Sequence, residues 1–139
     1  MDTGYGQLDF RLRNDSRVRL IEKLNARYLK SEDVGVEIEL VVIDVSFISA
    51  TLVLSAVVDA AFGTARAGKH IIVLVKPQFE AGREYVGKGG IVRDENVQKG
   101  AVERVRGKLL EIGCGRTELI ESPILGAEGN REFLLLGVW

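Results

Sequence analysis

The chain has 139 residues, 46% of them apolar and 28% charged, with a formal net charge of −1. That is enough for one domain around one core, and it excludes an overall basic field of the kind that holds proteins on nucleic acid without sequence preference. A single cysteine, Cys114, and a single histidine, His70, exclude an intrachain disulfide and a structural zinc site, which suits a reducing cytoplasm.

The first twenty residues carry Asp2, Asp9, Arg11, Arg13, Asp15, Arg17 and Arg19 and do not read as a signal peptide. Leu8 and Leu12 share a face, which predicts a short amphipathic helix over 7–14. Val18 to Glu22 is a strand candidate, Asn25 to Leu29 its following loop, and Ser31 to Asp33 a turn or one helical turn. Ile38 to Asp44 and Ile71 to Val75 are near-continuous runs of branched apolar residues, the pattern of parallel strands buried on both faces. Between them a helix is expected from a Ser49 cap to about Phe62, apolar nearly all the way round. The apolar stretch from Val45 to Val58 is bracketed by Asp44 and Asp59 and is shorter than the ~18–20 residues that span a bilayer, so a soluble protein is expected. Gln78 to Arg93 reads as a long glycine-containing loop, of a length that is commonly functional. Asp94 caps an amphipathic helix with Val97, Ala101, Val105 and Leu109 on one stripe and Gly113 at its end. Thr117 to Ile120 and Glu132 to Val138 close the chain as an antiparallel pair. The order implies a single α/β domain over 1–139.

Ligands of such sheets collect beyond the carboxyl ends of the strands. Asp44 and Lys76 each end an apolar run there, an acid and an amine facing one crevice, and Glu132 precedes the last strand. Taken singly, each has an ordinary explanation as a turn residue, a snorkelling lysine or an edge charge. The string from Gly82 to Gly89 nearly matches a phosphate-binding loop, but Gly89 stands where a magnesium-binding hydroxyl is needed. Arg83, Lys88 and Arg93 are this loop's candidates for phosphate contacts, beside the plainer reading of a mobile glycine loop.

Several strings are individually specific: Asp2-Thr-Gly-Tyr-Gly-Gln-Leu8, Asn25-Ala-Arg-Tyr-Leu29, Val42-Ile-Asp-Val-Ser-Phe-Ile-Ser49, Val75-Lys-Pro-Gln-Phe-Glu80, Val86-Gly-Lys-Gly-Gly-Ile-Val-Arg-Asp94, and Ser122-Pro123 followed by Gly129-Asn-Arg-Glu-Phe133. In this order and spacing the chain resembles the haemolysin-A (TlyA) family, ribosomal RNA 2′-O-ribose methyltransferases with an FtsJ-like catalytic domain. The resemblance implies a Rossmann-like class I methyltransferase sheet with helices on both faces and S-adenosylmethionine as cofactor. It further implies ribosomal RNA or ribosomal subunits as partner, a cytoplasmic setting, and neither membrane nor metal. It matches Asp44, Lys76 and Glu132 to the last three members of a Lys–Asp–Lys–Glu catalytic tetrad. Asp2 matches the acid that binds the cofactor ribose, and Asn25 and Ala26 match the loop beside the adenine, with Asp44 also at the cofactor.

The resemblance also implies a first strand with a glycine-rich cofactor loop, a further lysine and a small RNA-binding domain upstream of Asp2. On that reading the chain is an N-terminally truncated domain whose sheet lacks its first strand, with open inner edges that favour self-association and weak activity at best. The alternatives are a non-catalytic degenerate module serving as a binding scaffold and a methyltransferase acting on a non-ribosomal substrate.

Overall fold

The structure, a computed structural model, describes residues Met1 to Trp139. Its centre is a four-stranded sheet of β1 (Leu40–Ile43), β2 (His70–Val75), β3 (Arg116–Glu121) and β4 (Phe133–Val138), in the order β1-β2-β4-β3. β1 and β2 are parallel, linked by helix α3 (Thr51–Phe62), while β4 runs antiparallel to both β2 and β3. The long helix α5 (Glu95–Glu111) lies between the second and third strands in sequence. It starts at Asp94, whose side chain accepts from the Asn96 amide, and stops where Gly113 takes a φ of 92°. Only a residue without a Cβ enters that region cheaply, so Gly113 ends the helix as expected.

The core lies on one side of the sheet. Ile43, Ile71, Val73, Val75 and Leu135 point into it and meet Val53, Leu54 and Val58 of α3 and Val102, Val105 and Leu109 of α5. Gly137 is glycine because of this packing: a Cβ there would stand 2.9 Å from the Ile71 side chain and 3.1 Å from the Cys114 sulfur. The other sheet face carries Leu40, Val42, Ile72, Leu74, Leu134 and Leu136, all exposed or half-buried. The α/β sheet expected from the sequence is present and flanked by helices, with α3 and α5 packed on the core side. The expectation that both apolar runs are buried on both faces is corrected. β2 alternates between buried and less buried residues, and β1 is an edge strand with Val42 66% exposed.

The residues before β1 form an arm rather than further sheet. Val18 to Glu22 joins no ladder; Asp2 donates its amide to the Ile21 carbonyl and the Lys23 amide donates to the Gly4 carbonyl instead. The helix expected over 7–14 shrinks to the single turn α1 (Phe10–Arg13), capped by Asp9, with no buried residue to hold a longer one. The segment expected as a turn or one helical turn is the single turn α2 (Ser31–Val34), which lies against α3. The supposed loop from Gln78 begins as helix α4 (Pro77–Glu80), which starts on a proline, the residue best suited to a first helical position. A groove of about 510 Å³ runs along the open edge of β1, walled by Ile21, Leu29, Val36 and Ile38 and floored by Val53 and Val57 of α3.

The one-sided core predicts a contrast between adjacent residues of β4. Leu135→Ala is expected to cost about 2–5 kcal/mol, the usual range for emptying a buried leucine site, and Leu134→Ala distinctly less. Urea unfolding with a common m-value checks this, and equal losses would show that the second face is covered too.

Candidate active site

Three strand ends meet at one rim. β1 and β2 run in parallel, so Asp44 and Lys76, each directly after its strand, emerge on the same side. β4 returns antiparallel with Phe133 opposite Val75, so Glu132, just before β4, stands at that rim as well. The register thus gathers all three residues singled out in the sequence.

Their contacts are unequal. The Lys76 ammonium lies 2.7 Å from an Asp44 carboxylate oxygen and donates to the Ser46 hydroxyl at 2.9 Å. Its side chain is 13% exposed and that of Asp44 64%, so the lysine stem is buried and its head is aimed by a carboxylate that faces solvent. Glu132 makes no ion pair with Lys76. It is buried, accepts from the Gln78 amide at 3.1 Å, and lies so close to Gly126 that a Cβ there would collide with its carboxylate. Lys76 is thus held by Asp44 with Ser46 on one side, and a Gln78–Glu132 pair lies nearby. The Gln78 side-chain oxygen Oε1 is buried without a partner.

Beside this pair opens a cavity of about 450 Å³, lined by Asp2, Asn25, Ala26, Asp44, Ser46 and Phe47 among others. The structure therefore brings together all four residues expected at the cofactor. Asp2 is fixed by a bond from the Gly4 amide to its carboxylate at 2.6 Å. The Asn25 side-chain oxygen accepts from the Arg27 amide at 3.0 Å and caps the turn Ala26–Tyr28, which leaves its NH₂ group free to donate. The backbone amides of Ala26 and of Val45 to Ile48 donate to no protein group. A carboxylate acceptor, several unspent donors and apolar walls from Leu24, Val45, Ile48 and Val53 suit a nucleoside-containing ligand in both volume and polarity.

Phe47 was not singled out from the sequence. It has a φ of 63°, an uncommon conformation for a residue with a bulky side chain, yet its side chain is 92% exposed. Its ring lies 5.1 Å from that of Phe79, tilted by 50°. Backbone strain that puts an apolar ring into water, next to the Asp44–Lys76 pair, is the kind found where a ligand is to be met. No sequence pattern announces a left-handed residue in a loop without glycine.

Arg83, Lys88 and Arg93 are exposed, and none of them pairs with an acid. They do not line the cavity; Arg93 borders a separate shallow pocket with Arg131. Their loop is tied down at its far end. The buried Asn130 accepts from the Val92 amide and donates to the Gly90 carbonyl, and Gln98 donates to the Val92 carbonyl.

A second buried acid, Glu80, accepts from the Ala50 amide at 2.7 Å and from the Ser49 hydroxyl at 2.5 Å. It thereby caps α3 from another element, where the sequence suggested Ser49 alone. Burial pushes its carboxyl above the ordinary range, and the two donors and the Arg104 charge only partly oppose that.

The FtsJ-like methyltransferase family model matches residues 1–138. A 16S/23S rRNA (cytidine-2′-O)-methyltransferase TlyA of Mycobacterium tuberculosis is 44% identical over 96% of this chain and 48% of its own length. Hemolysin A of Brachyspira hyodysenteriae is 38% identical over 96% of this chain and 55% of its own. A solved structure of a candidate hemolysin from Streptococcus thermophilus superposes with a TM-score of 0.88 at 39% identity, covering 98% of this chain and 48% of that one. The chain thus spans about half the length of the curated relatives it matches.

The raised Glu80 carboxyl has a stability consequence of definite sign. Above the pKa of the unfolded chain and below that of the folded one, the native state holds more protons than the unfolded state. Stability must fall as pH rises through that window. Relative to Glu80→Gln, which does not titrate, the wild-type chain is expected to lose urea resistance on going from acid past its folded pKa. Parallel curves of midpoint against pH for the two would contradict this.

Proposed function

The chain belongs to the FtsJ-like methyltransferase family, and on that premise we propose that its site transfers a methyl group from S-adenosylmethionine to a ribose 2′-hydroxyl of ribosomal RNA. The observation that carries the reading is Lys76, held by Asp44 and Ser46 at the carboxyl ends of parallel strands, beside a cavity with Asp2, Asn25 and Ala26 in its wall.

S-adenosylmethionine supplies a methyl group on a positively charged sulfur, already activated for displacement. The residues that would hold it are Asp2, whose carboxylate can accept from a ribose diol, and Asn25 and Ala26, whose N–H groups suit the acceptors of adenine. Val45, Ile48 and Val53 supply an apolar wall. What remains for the chain is to present a hydroxyl oxygen in line and to manage its proton. Lys76 has two of its N–H hydrogens directed at Asp44 and Ser46; its third position, a lone pair in the neutral amine, is left for the ribose hydroxyl. As the neutral amine Lys76 orients that hydroxyl and accepts its proton while the oxygen takes up the methyl group. Asp44 and Ser46 fix where the amine points, which matters because alignment alone can supply a large part of such an acceleration. Glu132, through Gln78, closes the other side of the rim.

The exposed ring of Phe47, backed by Phe79, offers a stacking face for an unstacked base, the usual handle on a single-stranded nucleotide. Arg83, Lys88 and Arg93 are free to meet phosphates, and a ribosomal substrate places the reaction in the cytoplasm. A scaffold that had lost its chemistry would have no use for a lysine aimed in this way.

Calorimetric titration with S-adenosylmethionine, paired with methyl transfer to ribosomal RNA, tests the assignment. Asp2→Ala is expected to weaken cofactor binding at least tenfold. Lys76→Ala should keep binding but lower turnover by ~10²–10⁴-fold, the range for a lost proton-transfer group. Binding indifferent to Asp2→Ala, or turnover indifferent to Lys76→Ala, would overturn it.

A further inference from the structure

Glu80 takes no part in the chemistry just described, yet it is 3% exposed and both of its carboxylate oxygens are engaged. Each reaches into the segment that follows β1: one to the Ala50 amide, the other to the Ser49 hydroxyl, which also lies 2.6 Å from the Thr51 hydroxyl. The backbone carbonyl of Glu80 in turn accepts from the Arg104 guanidinium of α5.

These bonds join the same two segments that carry the site. Asp44 to Ser49 follows β1, and Lys76 to Glu80 follows β2. They are connected at the near end by Lys76 to Asp44 and Ser46, and at the far end by Glu80 to Ser49 and Ala50. Between the two ties the rings of Phe47 and Phe79 touch. A helix cap alone does not explain the arrangement. Ala50 is the N-cap residue of α3, and a glutamine at the third helical position could satisfy its amide locally, without burying a carboxylate at the cost that entails. What a local cap could not supply is a link between the two segments.

We propose that Glu80 is a positioning residue: its carboxylate clamps the Asp44–Ser49 loop to the Lys76 turn and so sets the contact between Lys76 and Asp44 and the outward pose of Phe47. The inference rests on the reading of Lys76 and Asp44 as the reacting pair. Gln at this position can keep both ties, accepting from Ala50 and donating to the Ser49 oxygen, whereas Ala keeps neither.

Two measurements on Glu80→Ala, Glu80→Gln and Ser49→Ala separate the clamp from the methyltransferase reading. The first needs no turnover. Proton NMR contacts between the Lys76 side chain and Ser46, present in wild type and Glu80→Gln, should be lost in Glu80→Ala. The second is kcat for methyl transfer at a temperature where every variant is folded. It should fall ~10- to 100-fold in Glu80→Ala, the scale of a small misplacement of reacting groups, and be largely recovered in Glu80→Gln. If Glu80→Ala does not fold, Ser49→Ala removes one tie and should show the same losses in weaker form. Retained Lys76–Ser46 contacts in the folded Ala variants overturn the clamp, as does a kcat unchanged by loss of the carboxylate, which would leave Glu80 a helix cap only. A wild-type chain that binds no cofactor and transfers no methyl overturns the methyltransferase reading instead, and the NMR contacts still decide the clamp.

Discussion

The antiparallel return of β4 beside β2 is the constraint on which the site depends. With Val75 opposite Phe133, the chain re-enters the sheet where β2 has just left it, and Lys76 and Glu132 become neighbours across that rim. The register is held from inside. Val73 and Leu135 face each other, both fully buried, and Gly137 lets β4 approach Ile71 and Cys114. Slipping by one residue would turn every β4 side chain to the opposite face, emptying the core position of Leu135. The energy that fixes the site is thus spent well away from it, in the packing of α3 and α5 against one face of the sheet.

The charged residues at the rim contribute little stability. An ion pair with one partner as open to water as Asp44 is generally worth ~0–1 kcal/mol, so the Lys76–Asp44 contact serves to orient rather than to stabilise. Glu80 presents the opposite case. Its carboxylate is withdrawn from water with neutral donors as its direct partners, and burial outweighs them. Both arrangements are poor choices for stability alone. They make sense together if the loop after β1 and the turn after β2 must be held at a fixed separation.

Much of this was legible in the sequence, for physical reasons that can be named. A branched apolar run that stops at one charge marks a strand end, so the sequence places Asp44 and Lys76 at the rim, and the closing pair β3–β4 reads as antiparallel. The strings around Asp2, Asn25 and Asp44 pointed to residues that share one cavity wall. Other features escaped for equally definite reasons. Apolar content on both sides of a strand signals which faces call for cover, not which receive it. Ile72, Leu74, Leu134 and Leu136 therefore face outwards from a sheet packed on one side. Val18 to Glu22 has strand-like composition but no neighbouring ladder. Glu80 caps an amide thirty residues earlier in the chain, a long-range bond with no local pattern. The same holds for Gln78 on Glu132 and for Asn130 on the glycine loop, and the left-handed backbone of Phe47 leaves no compositional trace.

The most direct test of the account is the position of the transferred methyl group. Ribosomal RNA incubated with the protein and methyl-labelled S-adenosylmethionine, then hydrolysed in alkali, separates the alternatives, because a 2′-O-methyl group blocks cleavage of the adjacent phosphodiester. The account predicts label confined to an alkali-resistant dinucleotide and absent with Lys76→Ala. Label on a base, or on a mononucleotide released by alkali, would contradict it, as would label that persists without Lys76.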